Sequence, residues 1–244
     1  MIVRKILGIL LHSCVLAFGI FLILTGMTLY GVNYDMGLVG RAQYYGVLIA
    51  MIMFLLVGIL IICFAIPGII MWAIRLKPRM GKIHYLNIGW VVSGFAFVYF
   101  FAIMLYPIAQ YFFSYPSAFG EYYKMIFTDW HVYVFYIGYL VYAILFAVGH
   151  SLKKKKKYLA GAIVFDIGIL FFAVMLPLGY RDPITGTNGG MFWACYVFGL
   201  IILLLHSAMC WIEIGTRHYI LEQGPSIKEA KVAAPKPKVE AKEE

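Results

Sequence analysis

Three ionisable residues stand deep inside apolar runs of this chain: His12 in ILGILLHSCVLAF, Asp166 in GAIVFDIGIL and His206 in IILLLHSAMC. A charged or titratable side chain costs several kcal/mol in hydrocarbon or distorts the bilayer, so such residues are candidates for chemistry by default. Each lies about 6 to 8 residues inside its run. At ~1.5 Å of helix per residue, all three fall roughly 9–12 Å below one surface. Three chemistries suit that arrangement. Two imidazoles at one depth on facing helices meet the requirement of a bis-histidine b-type haem, with His12 and His206 ligating the haem iron. Asp166 would then orient a ring N–H or serve a proton path. Without a cofactor, the same three groups would form a proton or ion relay. In the third case each histidine is neutral and hydrogen-bonded across a helix interface, and Asp166 is protonated. His131 and His150 are weaker haem candidates: 19 residues of helix set them ~28 Å apart, near opposite surfaces, where an interfacial role explains either. His84 in KPRMGKIHYLNIGW reads as a residue of the cytoplasmic interface, and His218 lies just past the last apolar run.

The elements that must position these residues are helices. Hydrophobic residues make up 64% of the 244 residues and charged residues 13%, against roughly 45–50% and about 25% in soluble domains. The apolar runs lack the two-residue alternation of barrel strands, and a segment in lipid must satisfy its own backbone hydrogen bonds. The expected fold is all-α: a polytopic bundle of six transmembrane helices at about 6–31, 45–74, 86–112, 130–150, 158–178 and 191–213. Together they form a membrane domain over 1–216, and 217–244 is a cytoplasmic tail. That tail is rich in lysine, glutamate, alanine and proline from Gly224 onward and reads as mostly disordered.

Lysine and arginine set the orientation. Of the 20 basic residues, 17 fall on the side holding Arg4, the 75–82 loop, Lys153–Lys157 and the tail, and 3 (Arg41, Lys124, Arg181) on the other. Both termini are therefore expected in the cytoplasm, in the cell inner (cytoplasmic) membrane. The run Lys153, Lys154, Lys155, Lys156, Lys157 reads as a stop-transfer anchor touching anionic lipid. A net charge of +9 located beside a membrane does not point to nucleic acid, which requires a basic face on a soluble fold. The first run is long enough to span and lacks a clean cleavage site, so it reads as a helix rather than a signal peptide. Cys14, Cys63, Cys195 and Cys210 all lie within runs and form no CxxC pair, which argues against zinc or a disulfide framework. No Walker-type, dinucleotide-binding, HExxH or Ser–His–Asp pattern occurs.

The opening RKILGILLHSCVLAFGIFLILTG resembles the first helix of respiratory b-type cytochrome subunits, those of nickel–iron hydrogenases and the gamma subunit of formate dehydrogenase. The shared pattern is a basic start, an intramembrane histidine and a later Thr-Gly, here His12, Thr25 and Gly26. MWAIRLKPR is loosely similar to the exit of the family's second helix. The resemblance covers the first third of the chain. It carries over His12 alone, because 45–74 holds no histidine and His131 and His150 are too far apart to match the family's later pair. It implies haem b, a quinone, and a partner redox subunit carrying iron–sulfur clusters or several haems. The expected function is thus an integral membrane subunit of a respiratory electron-transfer complex. The alternative is a non-redox membrane protein, either a small proton-coupled transporter or an assembly or scaffold subunit.

Overall fold

The computed structural model describes residues 2–35, 42–74, 83–91, 116–180 and 189–222. We number its helices α1 (Ile2–Asp35), α2 (Ala42–Ile74), α3 (83–91), α4 (Pro116–Thr128), α5 (Trp130–Lys154), α6 (Tyr158–Gly179) and α7 (Gly189–Glu222). Among the described residues there is no strand. Five of these helices contain segments long and apolar enough to cross a membrane: Ile2–Thr28, Met51–Ile74, Trp130–Lys154, Tyr158–Gly179 and Phe192–Thr216. Their outward positions are apolar too, with Leu24, Leu140 and Leu170 more than half exposed. The chain is a multi-pass helical membrane protein. Of the third expected span, 86–112, only 86–91 is described; the remainder, like the tail from residue 223, lies outside the described residues.

Some boundaries differ from the sequence reading. The connection 113–129 contains the helix α4, and α5 runs past residue 150 to Lys154, so the first two lysines of the basic run are helical. Helix α7 likewise continues to Glu222, beyond the expected start of the tail. The turn after α5 explains its extension. The Lys156 N–H donates to the Lys153 carbonyl and the Lys157 N–H to the Leu152 carbonyl, both at 3.0 Å, with Lys156 in the left-handed region at φ 65°. This is the paired C-terminal cap that closes a helix by satisfying its last carbonyls. At the other end, Asp129 caps α5 by accepting the His131 backbone N–H at 3.1 Å, filling one of the helix's unsatisfied donors.

Two hairpins, α1–α2 and α5–α6, each pack along their length, and α7 lies against α1 and α6. Facing glycines close both hairpins. A Cβ on Gly58 would stand 2.8 Å from the Gly19 carbonyl oxygen, and one on Gly161 would stand 3.0 Å from that of Gly149. Small residues of this kind let backbones approach where lipid supplies no hydrophobic drive. The core between the elements is aromatic and aliphatic, with Phe18, Phe54, Trp72, Phe135, Tyr142 and Phe172 fully or nearly fully buried.

Candidate functional site

The packing of α7 on α1 brings the helices of His12 and His206 side by side. Both imidazoles are buried, and they do not meet directly. The ring of His84, from α3, stands between them, with centroids 5.2 Å from His12 and 4.9 Å from His206. His84 Nε2 and His206 Nδ1 share a hydrogen bond of 2.8 Å. His84 is thus a central residue of the site, wholly buried, and not the interface residue that its loop setting suggested.

Local sequence makes room for these rings. A Cβ on Gly68 would lie 2.1 Å from His12 Cδ2, and one on Gly8 would lie 2.3 Å from the Trp72 ring, so at both positions only glycine leaves the space. The His12 Nδ1–H donates to the Gly8 carbonyl at 2.7 Å, one turn earlier on the same helix. Because a carbonyl can only accept, this bond fixes the tautomer and leaves a lone pair on His12 Nε2. Nearby, Pro67 interrupts the α2 ladder by removing a donor. Next to that interruption, Asn87 Nδ2 donates to the Phe64 carbonyl at 3.0 Å. Four polar atoms around this corner have no hydrogen-bond partner although buried: His12 Nε2, His84 Nδ1, Asn87 Oδ1 and Trp72 Nε1.

On the other side of His84 the polar groups are linked. His206 Nε2 lies 3.7 Å from Cys210 Sγ, which accepts from Lys153 Nζ at 3.2 Å. Lys153 Nζ also pairs with Glu213 Oε2 at 3.2 Å, and Arg4 Nη2 lies 3.5 Å from Glu213 Oε1. One carboxylate on α7 therefore holds cations from α1 and α5. Lys153 is 7% exposed: unlike the exposed Lys154–Lys157, it points inward, over the rings of Tyr85 and Phe165. Cys210, expected as a small apolar filler, instead joins this chain of contacts.

Burial, with the neighbouring histidines and the positive charges of Lys153 and Arg4 adding to it, holds His84 well below the usual histidine range. His84 lies just before the third expected span and is neutral in the folded protein at ordinary pH.

The remaining candidates lie outside this cluster or at its edge. Asp166 accepts from Ser207 Oγ and, at 2.7 Å, from Trp211 Nε1, so it clamps α6 to α7. Its partners sit on α7 beside the face that carries His206, and Phe165, the residue before it, packs its ring 4.8 Å from that of His206. His150 packs its ring 4.0 Å from that of Tyr85 at the margin of the cluster. His131, at the far end of α5, stacks on Trp130 and bonds through Nδ1 to Asp129 Oδ1 at 2.7 Å.

No family model, curated protein or solved structure matches this chain.

The site must then be read from its own chemistry. The His84 ring stands between His12 and His206, in the space that a porphyrin ligated by that pair would need. Among the described residues, no three His, Cys, Asp or Glu side chains are grouped to hold a metal ion. What the arrangement can do is move a proton. With the hydrogen on His84 Nε2, His206 carries its own on Nε2, facing Cys210. With the hydrogen on His206 Nδ1, its Nε2 is free to accept from the Cys210 S–H. Exchange between the two forms shifts a proton along the row without leaving a standing charge in a region where charge is costly.

Sequence reasoning found His12 and His206 but missed His84, Asn87, Lys153 and Glu213. A signal existed for each. His84, Asn87, Ile88 and Val91 recur at the spacing of one helix face, and all four are buried. Lys153 continues the buried face of α5 through Tyr142 and Gly149, and Glu213 continues that of His206 and Cys210.

Proposed function

We propose that this chain is a proton-relaying membrane protein, a small proton-coupled transporter of the cell inner membrane. Both termini face the cytoplasm, because 17 of the 20 lysines and arginines fall on that side. The relay runs from the Arg4–Glu213–Lys153 cluster through Cys210 to the His206–His84 pair. The single observation that carries this reading is the 2.8 Å hydrogen bond between two fully buried imidazoles, continued by contacts to a buried lysine and carboxylate. Neutral histidines with two ring nitrogens pass a proton by taking one and releasing the other. The exposed lysines Lys154–Lys157 contact anionic headgroups at the same surface, while Lys153 belongs to the relay.

The test is proton flux into liposomes containing the purified protein and an internal pH-sensitive dye, under an imposed potential. His206→Gln and His84→Gln should each lower flux about 100-fold, the order seen when a positioned proton carrier is removed. Flux unchanged in either variant overturns the relay.

A second reading is the respiratory one, a b-haem-binding subunit exchanging electrons with quinone and a partner redox protein. It is favoured by the anchoring of His12, whose Nδ1–H bond to a backbone carbonyl is the posture of a metal-bound imidazole. It requires His84 to stand elsewhere. A reduced-minus-oxidised absorption spectrum of protein made with ample haem separates the two: a b-type band lost in His12→Ala or His206→Ala supports the respiratory reading, and a colourless protein rejects it.

A further inference from the structure

The corner between α1, α2 and α3 holds unpartnered ring nitrogens, one of them on His84 of the relay. His12 Nε2 and His84 Nδ1 are buried, unpartnered nitrogens on rings 5.2 Å apart. The first is locked as an electron-pair donor by the Gly8 carbonyl. Trp72 lies along a third side, its ring 6.5 Å from His12 and 6.3 Å from His84. Gly68 keeps its side open, since a Cβ there would run into the His12 ring. Buried polar atoms without partners are rare and call for a ligand or water.

Charge and donor type identify the ligand. The two donors are neutral imidazoles. Nearby, among the described residues, Arg4 and Lys153 meet on the carboxylate of Glu213, two cations to one anion. The cost of burying an ion in a low-dielectric region rises with the square of its charge, which penalises a divalent ion far more than a monovalent one. Hard cations take oxygen ligands, whereas imidazole suits copper. Two nitrogens with no third charged ligand suit an ion content with two-coordinate, near-linear binding. Metal–imidazole bonds of about 2 Å would set the two ring centroids roughly 6 Å apart, a small opening from the observed spacing.

We propose that His12 Nε2 and His84 Nδ1 bind one monovalent copper ion, with Trp72 beside it. The site stands on its own geometry: it needs the hydrogen of His84 on Nε2, one of the two tautomers of the His84–His206 bond, and an ion there would hold the ring in that form whether or not the pair relays protons.

The experiment uses the full chain in lipid nanodiscs, titrated without oxygen with monovalent copper against a chromogenic chelator. X-ray absorption then reads whether the ion's neighbours are nitrogen or sulfur. One copper per chain with two nitrogen neighbours is expected. His12→Gln and His84→Gln should each weaken binding by more than the roughly 10- to 100-fold that loss of an outer-sphere partner costs. If either variant fails to fold, Gly68→Ala supplies the test: its methyl group displaces the His12 ring and should lower affinity by a similar factor. Cys210→Ala, which breaks the proposed proton route by removing a group that can donate and accept, should bind copper normally, so failure of the relay and failure of this site are told apart. Copper that is sulfur-ligated, that survives loss of either histidine, or that does not bind at all overturns the proposal.

Discussion

The two sides of His84 are built on opposite plans. Toward α5 and α7, every step from His206 to Arg4 is made by a neighbouring polar group, and the charges meet on one carboxylate. Toward α1 and α2 the groups are neutral, and several of their polar atoms have no partner. Paired charges under a lipid shell fix the helices that carry them, because separating any pair leaves a charge exposed to low dielectric. The unpartnered atoms on the other side add no such ties between helices. One buried polar site thus joins a linked half, whose pairs tie helices together and line the proposed proton route, to a half whose polar atoms are left without partners.

Substitutions sharpen that contrast. Glu213→Gln should have the largest effect. It strands Arg4 and Lys153 together inside the bundle, and loss of one partner from a buried pair costs about 3–5 kcal/mol, measured as a fall in the midpoint of denaturant unfolding in detergent. If stability is unchanged, the paired side is not structural and the contrast fails. Next come the glycine contacts of the two hairpins. Gly58→Leu and Gly149→Leu should each destabilise by about 1–3 kcal/mol through overpacking, and the two should be similar, because the hairpins close in the same way. A marked inequality would show that one half of the molecule folds on the other.

The pH response tests the neutral side. His84 is held below its usual range in the folded state, while in the unfolded chain it titrates near 6.5. Its contribution to stability is thus complete above about pH 6.5. It is lost as pH falls below that value, where the unfolded chain binds a proton that the folded protein refuses, by up to about 1.4 kcal/mol per pH unit. Unfolding midpoints compared between pH 7 and pH 5 should fall less in His84→Gln than in the parent. The smallest effect is expected from Asn87→Ala. One hydrogen bond to Phe64 is lost, worth about 1 kcal/mol, and the unpartnered Oδ1 goes with it.

The helical, membrane-spanning architecture was legible because hydropathy and span length are local properties of a chain. The contact of α1 with α7, which brings His12 and His206 each against the ring of His84, was not. His84 escaped for a physical reason. Its sequence neighbours Lys82 and Tyr85 mark a membrane interface, and only the face it shares with Asn87, Ile88 and Val91 reveals burial. Lys153 was hidden in a row of five lysines, where composition cannot say which one turns inward; the register of α5 decides it. The part of the third span beyond residue 91 falls outside the described residues, so its expected course is untested.

Helix α7 carries His206 and Ser207 as neighbours with different partners, the first bonded to His84 and the second to Asp166. Ser207 and Trp211, one turn apart, both grip Asp166 on α6, and together they act as an index pin against spin about the helix axis. The aim of the imidazole inside is therefore set from the outer flank, by a carboxylate that never touches it. With that pin released, the pairs of Glu213 with Arg4 and Lys153 would be left to hold the rotation of the helix, and with it the aim of His206 at His84.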